Sequence, residues 1–189
     1  MKKILALILS ILCFSFTLSA EKNLISFSFG LSTGIPVYQS ENIKIEEAYI
    51  DVNRRFVIGT YAYVNLNIID YASVFAGGEI VSDFNWNGKY YSDHLDVDFP
   101  LGLRLSPGLA GFSFGTGYLL GFRGDFYKND FGKANTSTPW GNGFKFFAEY
   151  DFSYHGYKFM PTVGLSWNIM PRGNNEYDNM LHLYMGLNL

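Results

Sequence analysis

The last nine residues, Leu181 to Leu189, alternate apolar side chains with polar or small ones without a break. Leucine or methionine occupies every odd position, and the even positions hold His182, Tyr184, Gly186 and Asn188. A period of two residues is that of a β-strand with one apolar face. Because a terminal strand frays or pairs with other molecules unless it has a neighbour on each side, we expect it to close a barrel against the first strand.

The same alternation recurs along the chain and predicts an all-β fold of eight antiparallel strands. The predicted strands lie at about 25–32, 55–68, 72–81, 96–106, 111–123, 144–154, 157–169 and 181–189. Long loops at about 33–54, 83–95, 124–143 and 171–179 alternate with tight turns, so the long connections share one end. We find no helical stretch in the pattern, and we expect Pro161 to form a bulge within the seventh strand because it removes a ladder donor.

Residues 1–20 differ in composition from the rest of the chain. Lys2 and Lys3 precede an apolar run from Ile4 to Phe16, and the small residues Ser19 and Ala20 follow it. This pattern is typical of a secretory signal peptide. We therefore predict a cleaved signal peptide over residues 1–20 and a barrel domain over 21–189, with secretion through the inner membrane. The single cysteine lies inside the signal, which excludes a disulfide in the mature chain.

The mature composition indicates a surface that is not solvated by water alone. Without Lys2 and Lys3 the chain has 12 basic against 17 acidic residues, a formal charge of −5. This acidic balance argues against nucleic acid as a partner. Only 16% of the residues are charged and 19% are aromatic, which is little charge for a soluble surface.

The distribution of charge and glycine predicts which face of each strand points outward. The charged residues of the strands lie opposite the apolar face, and the fifth strand has Gly111, Gly115, Gly117 and Gly121 on that same side. An eight-stranded barrel has an interior just wide enough for side chains, so these glycines give room to large rings. We therefore predict a transmembrane up-and-down barrel whose apolar face contacts membrane lipid.

With the apolar face of each strand outward, the sequence predicts one group of residues inside the barrel and another at the two membrane boundaries. Charged inner residues are expected to form ion pairs that fill the lumen. These residues are Arg55, Glu79, Asp96, Asp98, Arg104, Arg123, Lys145, Glu149, Asp151 and Lys158, with His182 beside them. Two aromatic girdles are expected at the membrane boundaries. They comprise Phe99, Phe144 and Trp167 at the long-loop end and Tyr154, Tyr157 and Phe159 at the short-turn end.

The signal peptide, the eight alternating strands and the asymmetric loops together resemble a known family, the eight-stranded outer-membrane barrels such as the OmpA membrane domain, OmpX and the opacity-type adhesins. The resemblance implies a monomer in the outer membrane with periplasmic termini. The terminal strand is similar to the signal that the outer-membrane assembly machinery reads, although it ends in Leu189 where that signal usually ends in Phe or Trp.

Three functions are compatible with this architecture. A structural or surface-interaction (adhesin-like) protein, with host or matrix ligands at its loops, is the first hypothesis. The alternatives are a narrow small-solute channel, in which the lumen pairs exchange partners, and a lipid-modifying enzyme. His94 lies near Ser92, Asp93 and Asp96, a composition that suits acyl transfer, but neighbours in sequence do not make a triad. The sequence therefore predicts no enzyme, no cofactor and no metal site.

Overall fold

The computed structural model describes residues 24–108, 110–155, 161–172 and 176–189. Strands account for most of these residues. The elements are β1 (Ile25–Tyr38), α1 (Glu41–Ile50), β2 (Arg54–Ile69), β3 (Ala72–Asn87), β4 (Tyr90–Leu105), β5 (Phe112–Asn129), β6 (Gly132–Ser137), β7 (Gly141–Asp151), a 3-10 turn (Phe152–His155), β8 (Thr162–Pro171) and β9 (Tyr177–Asn188). Among the described residues, no helix is both long enough and apolar enough to cross a bilayer.

Eight of the strands form a closed antiparallel ring, as the sequence predicted. Each strand pairs with its neighbour along the chain, β5 pairs with β4 on one side and with β7 on the other, and β9 returns to β1. The β1–β9 register runs from Ser28 opposite Asn188 to Tyr38 opposite Asp178. Phe27 and Leu189 then exchange two backbone hydrogen bonds of 2.8 and 2.7 Å. The terminal strand therefore has a partner on each side.

The two faces of the strands separate as the period of two residues predicts. Outward leucines such as Leu31 and Leu101 are 60% and 57% exposed, whereas the inward Phe75 is 1% exposed. The glycines of the inner face make room for these rings. A Cβ at Gly115 would lie 2.5 Å from Cζ of Phe147, too close for any side chain. The glycine side of the sheet is therefore the inside of the barrel.

All four predicted long loops are partly wrong, because the strands continue beyond the belt of outward apolar residues; in the fourth, 171–179, β9 already begins at Tyr177. The segment 33–54 contains the end of β1 and the helix α1, so the prediction of no helix is also wrong. The segment 83–95 is a hairpin of β3 and β4, and 124–143 contains a second hairpin of β5 with the short β6. These extensions lie at the long-loop end, where Ile35 and Val37 continue the apolar outer face of β1 but polar residues such as Asp93 interrupt that face on β4.

Helix α1 lies across the end of the barrel where the hairpins project, which we call the cap end. Its Ile43 and Ile50 side chains are buried. The amide of Asn87 at the tip of β3 donates to the carbonyl oxygens of Ile50 and Asp51 at 3.2 and 3.0 Å. These bonds satisfy carbonyl groups that a helix end leaves without partners. The hairpin tip thus fixes the end of α1.

Pro161 lies outside the described strands, and the described part of β8 pairs without the bulge predicted at this residue. It precedes β8, and its carbonyl oxygen accepts a hydrogen bond of 3.2 Å from the backbone N–H of Phe152. The missing N–H of Pro161 therefore costs no bond within the ladder.

Candidate functional site

The lumen begins at the short-turn end with a cluster of rings. Tyr61, Tyr63, Phe75, Phe147 and Tyr184 are all buried and contact one another. The rings of Phe75 and Phe147 meet edge to face at a centroid distance of 5.4 Å, as do those of Tyr61 and Tyr184 at 5.5 Å. Edge-to-face packing of this kind fills space densely and is favourable for aromatic pairs. The barrel has a solid aromatic core at this level.

The predicted lumen residues Glu79 and Lys145 form a buried ion pair. The exposed fraction of each residue is 5% or less. The Lys145 ammonium group contacts the Glu79 carboxylate, which also accepts from the Tyr63 hydroxyl and, at 2.9 Å, from the Asn168 amide. The carboxylate therefore has three donors from three strands. Such a group is costly to leave without its cation, so the pair locks β3 to β7 across the lumen.

A second pair joins β4 to β7. Nε of Arg104 lies 3.0 Å from a carboxylate oxygen of Glu149, and its Nη1 donates to the Asn65 side chain at 3.0 Å. Glu149 also accepts from the Tyr184 hydroxyl at 2.9 Å. The charged groups and the aromatic core thus share hydrogen bonds.

Near the cap end, two arginines and three aspartates form what we call the upper cluster. Its members are Asp96, Asp98, Arg123, Arg172 and Asp178, all of them buried. Asp178 bridges the arginines, because its carboxylate accepts from Nη1 of Arg123 at 2.5 Å and from Nε of Arg172 at 2.8 Å. Arg172 also donates to Asp96 at 2.5 Å and to Asp98 at 3.3 Å. The cluster ties β4, β5 and β9 to the end of β8.

Arg172, Asp178 and Asp83 are lumen residues that the sequence reasoning missed. The first two fell within a predicted loop, 171–179, and Asp83 opened another. Asp83 is fully buried and pairs with the predicted Arg55 at 2.6 Å. The alternation of β3 could have identified Asp83. It lies two residues after the inward Val81, so it occupies the next inward position of the strand.

The other predicted residues lie in several environments. Asp151 accepts hydrogen bonds from the Ser153 backbone and the Asn188 amide at 2.8 and 3.2 Å. His182 is buried among the lumen residues. The predicted Lys158, and the girdle residues Tyr157 and Phe159, lie outside the described residues, as does the side chain of Tyr154.

At the cap end, the three predicted girdle residues face outward. Phe99, Phe144 and Trp167 are each about half exposed. The sequence reasoning placed Trp140 in a loop and did not assign it to the girdle. Its ring stacks on that of Phe99 with centroids 5.9 Å apart and contacts Phe122 at 5.3 Å. A half-exposed tryptophan on the outer wall is typical of a membrane boundary.

Beneath α1, Ser92 is the one of the three sequence neighbours named above that contacts the ring of His94. Ser92 and Asp125 contact its ring, whereas Asp96 belongs to the upper cluster and Asp93 accepts from the Asn85 backbone at 3.2 Å. Glu47 of α1 lies 3.8 Å from Nε2 of His94. Burial raises the pKa of the Glu47 carboxyl, although Arg55 and His94 oppose the shift. Within the described part of the chain, no group of three or more His, Cys, Asp or Glu side chains could hold a metal ion.

The closed ring of eight strands, the apolar outer wall and the filled lumen define a class. The fold is that of the eight-stranded outer-membrane β-barrels, as the sequence resemblance predicted. No family model matches the sequence, and no curated protein matches it. The likeness is therefore structural.

Among solved structures, the chain is similar to Ail, the attachment invasion locus protein of Yersinia pestis, with a TM-score of 0.59 and 9% identity over 87% of this chain and 97% of that one. The complex of Ail with the heparin analogue sucrose octasulfate gives a TM-score of 0.58 at the same identity and coverage. Neisserial surface protein A gives 0.54 with 6% identity, again over 87% and 97%. At these identities the likeness establishes the fold alone.

Proposed function

We propose that this protein is a monomeric integral barrel of the outer membrane with a closed lumen and a structural or surface-interaction role. Its apolar wall contacts lipid, and its cap end faces the environment. The outward apolar residues support this, since a soluble protein rarely exposes so large an apolar surface. The similar solved barrels support it as well, because one is an attachment invasion locus protein and another a surface protein.

The filled lumen is the observation that carries the proposal. Between the aromatic core and the ion pairs there remains a cavity of about 20 Å³, bordered by Glu79, Arg104 and Lys145. A space of this size holds about one water molecule. Above it, the upper cluster and α1 cross the barrel. This arrangement favours a barrel that stabilises the membrane and presents surfaces over one that conducts solutes.

Planar-bilayer recording separates the closed barrel from the narrow channel. We expect no discrete conductance steps from the purified protein, and none from Arg104→Ala, because the Glu79–Lys145 pair and the upper cluster still block the path. Heat-modifiable migration on a gel confirms that each sample is folded. Reproducible steps from the folded wild-type protein, altered in size by Arg104→Ala, would establish the channel instead.

The cap end provides the surface for the proposed interaction. Ile45 and Tyr49 of α1 are 65% and 51% exposed, and Phe131 at the tip of the β5–β6 hairpin is 87% exposed. The rings of Tyr49 and Phe131 lie 5.8 Å apart, so the three side chains share one surface. Exposed aromatic residues of this kind are enriched at protein interfaces. We propose host or matrix proteins as the ligands.

Binding of labelled protein to host cells or to immobilised matrix proteins tests this role. Tyr49→Ser with Phe131→Ser is expected to reduce binding at least tenfold. The matched control is Tyr71→Ser, since Tyr71 is 59% exposed at the opposite end of the barrel. Equal binding by both variants and the wild type would contradict the proposal.

The ligand is not expected to be a sulfated polysaccharide, although Ail has been solved in complex with a heparin analogue. The polar side of α1 carries Glu41, Glu46 and Glu47 against the single Lys44, and these acids would repel a polyanion. Retention on heparin resin at low salt measures this directly.

Secretion and insertion remain proposals that follow from the sequence. The predicted signal peptide, residues 1–20, lies outside the described residues. N-terminal sequencing of the protein from outer-membrane fractions is expected to begin just after Ala20. Loss of the protein from these fractions on depletion of the assembly machinery would support its insertion by that route.

A further inference from the structure

Beneath α1, three side chains form a continuous hydrogen-bond chain. The Ser92 hydroxyl lies 3.2 Å from Nε2 of His94, and Nδ1 of His94 lies 2.8 Å from a carboxylate oxygen of Asp125. All three residues are at least 95% buried. A hydroxyl on one ring nitrogen and a carboxylate on the other is the arrangement of nucleophile, general base and positioning acid.

Unpartnered polar groups lie close to this chain. The amide of Asn85 is fully buried, and neither its nitrogen nor its oxygen has a hydrogen-bond partner among the described residues. The β3–β4 register brackets Asn85 between the pairs Asp83–His94 and Trp86–Tyr91, which places it across from Ser92. A buried amide N–H₂ beside a nucleophile is a suitable donor for a developing oxyanion. The amide is therefore free to bind a polar ligand.

A cavity adjoins the Ser92–His94–Asp125 hydrogen-bond series at its Asp125 end. Its volume is about 380 Å³, within the range of small-molecule sites, and it lies between α1 and the β5–β6 hairpin. Asp125 and Tyr127 form part of its wall, and the Tyr127 ring is 6.0 Å from that of His94. The remaining wall is mostly polar, with Asn42 and Thr136 among its members. Ser92 and His94 do not line this cavity, so a molecule held there meets Asp125 first and reaches Ser92 only when α1, which forms part of the wall, moves. The wall also includes Ile45 and Pro139, but the charged side chains of Glu46 and Arg123 favour a small polar molecule.

We propose that Ser92, His94 and Asp125 form a hydrolase site for short-chain carboxylic esters of polar alcohols, an activity additional to the surface role. Ser92 Oγ bonds to the ester carbonyl carbon while its proton passes to Nε2 of His94. The C–O bond to the alcohol then breaks, and the alcohol leaves with that proton. Water, deprotonated by Nε2, attacks the acyl group on Ser92, which releases the acid and restores the serine. Asp125 is a positioning residue that holds the imidazole through Nδ1.

Helix α1 covers this site in the structure. Ser92 is fully buried, and Glu47 of α1 lies 3.8 Å from the same Nε2 that the Ser92 hydroxyl contacts. Helix α1 is fixed at its C-terminal end by Asn87 but held less firmly at its N-terminal end, because Ser40 makes no side-chain cap bond to it and Ile43 is the buried apolar residue there. Turnover therefore requires α1 to move away from β4, and a looser helix is expected to raise the rate.

The test uses the full-length protein folded in detergent micelles, with p-nitrophenyl acetate as substrate and a fluorophosphonate as the covalent probe. We expect the probe on Ser92 by mass spectrometry. Ser92→Ala is expected to lower hydrolysis at least about 100-fold. Asp125→Asn is expected to lower both kcat and the rate at which the fluorophosphonate labels Ser92, while gel migration remains that of a folded barrel. A merely structural role, such as the bond that Asp125 accepts from Nε of Arg123 at 2.7 Å, would leave the labelling rate of the folded protein unchanged. Ser166→Ala is the matched control, since Ser166 is also a buried, inward-facing serine but is not part of the Ser92–His94–Asp125 hydrogen-bond series.

Two further experiments test separately whether α1 covers the site and which class of ester the site accepts. Ile43→Ala, which loosens α1, is expected to increase labelling of Ser92 severalfold while gel migration remains that of a folded barrel. p-Nitrophenyl dodecanoate is expected to be hydrolysed more slowly than the acetate; the reverse order would point to a lipid ester. If Ser92 stays unlabelled in both the wild type and folded Ile43→Ala, the hydrogen-bond chain is structural and the proposal fails, whatever the outcome of the binding experiments at Tyr49 and Phe131.

Discussion

Replacement of Lys145 by methionine tests how much the lumen pairs contribute to stability. Methionine keeps the length of the side chain but leaves the buried Glu79 carboxylate without its cation. Removing one partner of a buried pair costs about 3–5 kcal/mol. We expect about 3 kcal/mol, the lower end, because Glu79 retains its hydrogen bonds from Tyr63 and from Asn168. Urea titration of the protein in lipid vesicles, followed by tryptophan fluorescence, measures the free energy of unfolding.

Two further variants separate charge from packing. Glu79→Gln combined with Lys145→Met removes both charges and keeps hydrogen-bonding groups, so its stability is expected within about 1 kcal/mol of the wild type. Lys133→Met removes a lysine from the exposed strand β6 and is expected to change stability by less than about 0.5 kcal/mol. If Lys145→Met alone costs less than about 1 kcal/mol, the pair does not lock the lumen and the reasoning is refuted.

Three other predictions use the same titration or a related one. Gly115→Val is expected to destabilise the barrel by about 1–3 kcal/mol or to prevent folding, because its Cβ would meet Phe147. Gly78→Ala should be tolerated, because its Cβ would lie 3.9 Å from the Phe99 ring, an ordinary van der Waals contact; equal effects would mean that the faces are misassigned. Leu101→Arg on the outer wall is expected to cost about 2–4 kcal/mol in lipid, and a neutral result would place Leu101 outside the hydrocarbon. In a variant whose single tryptophan is Trp140, lipids brominated near the headgroup should quench fluorescence more than lipids brominated at the chain end, and the opposite order would place this residue near the bilayer centre.

The barrel could be predicted because lipid imposes a strict contrast between the two faces of each strand. Within the belt, an outward position such as Leu101 must be apolar, and an inward position such as Gly115 must be small or polar to fit beside a ring. The alternation therefore revealed both the strand and its orientation. The closing of the ring by the last strand followed from the same contrast at residues 181–189.

Beyond the predicted strands this contrast weakens: Ile35 and Val37 continue it on β1, but on the β3–β4 extension polar residues occupy both the inner and the outer positions. Asn85 and Asn87 lie on one face of the β3–β4 hairpin and Asp93 lies on the other. Both faces are therefore polar, so the sequence pattern did not identify this extension as a pair of strands. Helix α1 is short and buries only Ile43 and Ile50 as apolar residues, which leaves little of the periodicity that predicts a helix. The secondary structure of the cap end depends on tertiary contacts such as the one from Asn87.

The candidate site was partly visible in the sequence. The inward charges of the belt could be identified, but their partners could not, because pairing depends on which strands face each other across the lumen. Arg172 belongs to a connection in the sequence, and only the fold brings it between Asp96 and Asp178. In the same way, Asp125 is 31 residues from His94 along the chain and becomes its neighbour through the β4–β5 register.

The solid interior has a consequence for the cell that would carry this protein. With the closed lumen that we propose, each copy would add a cross-braced cylinder to the bilayer without opening a path for ions or small toxic compounds. High copy number would then stiffen the envelope and display many identical outer tips without weakening the permeability barrier.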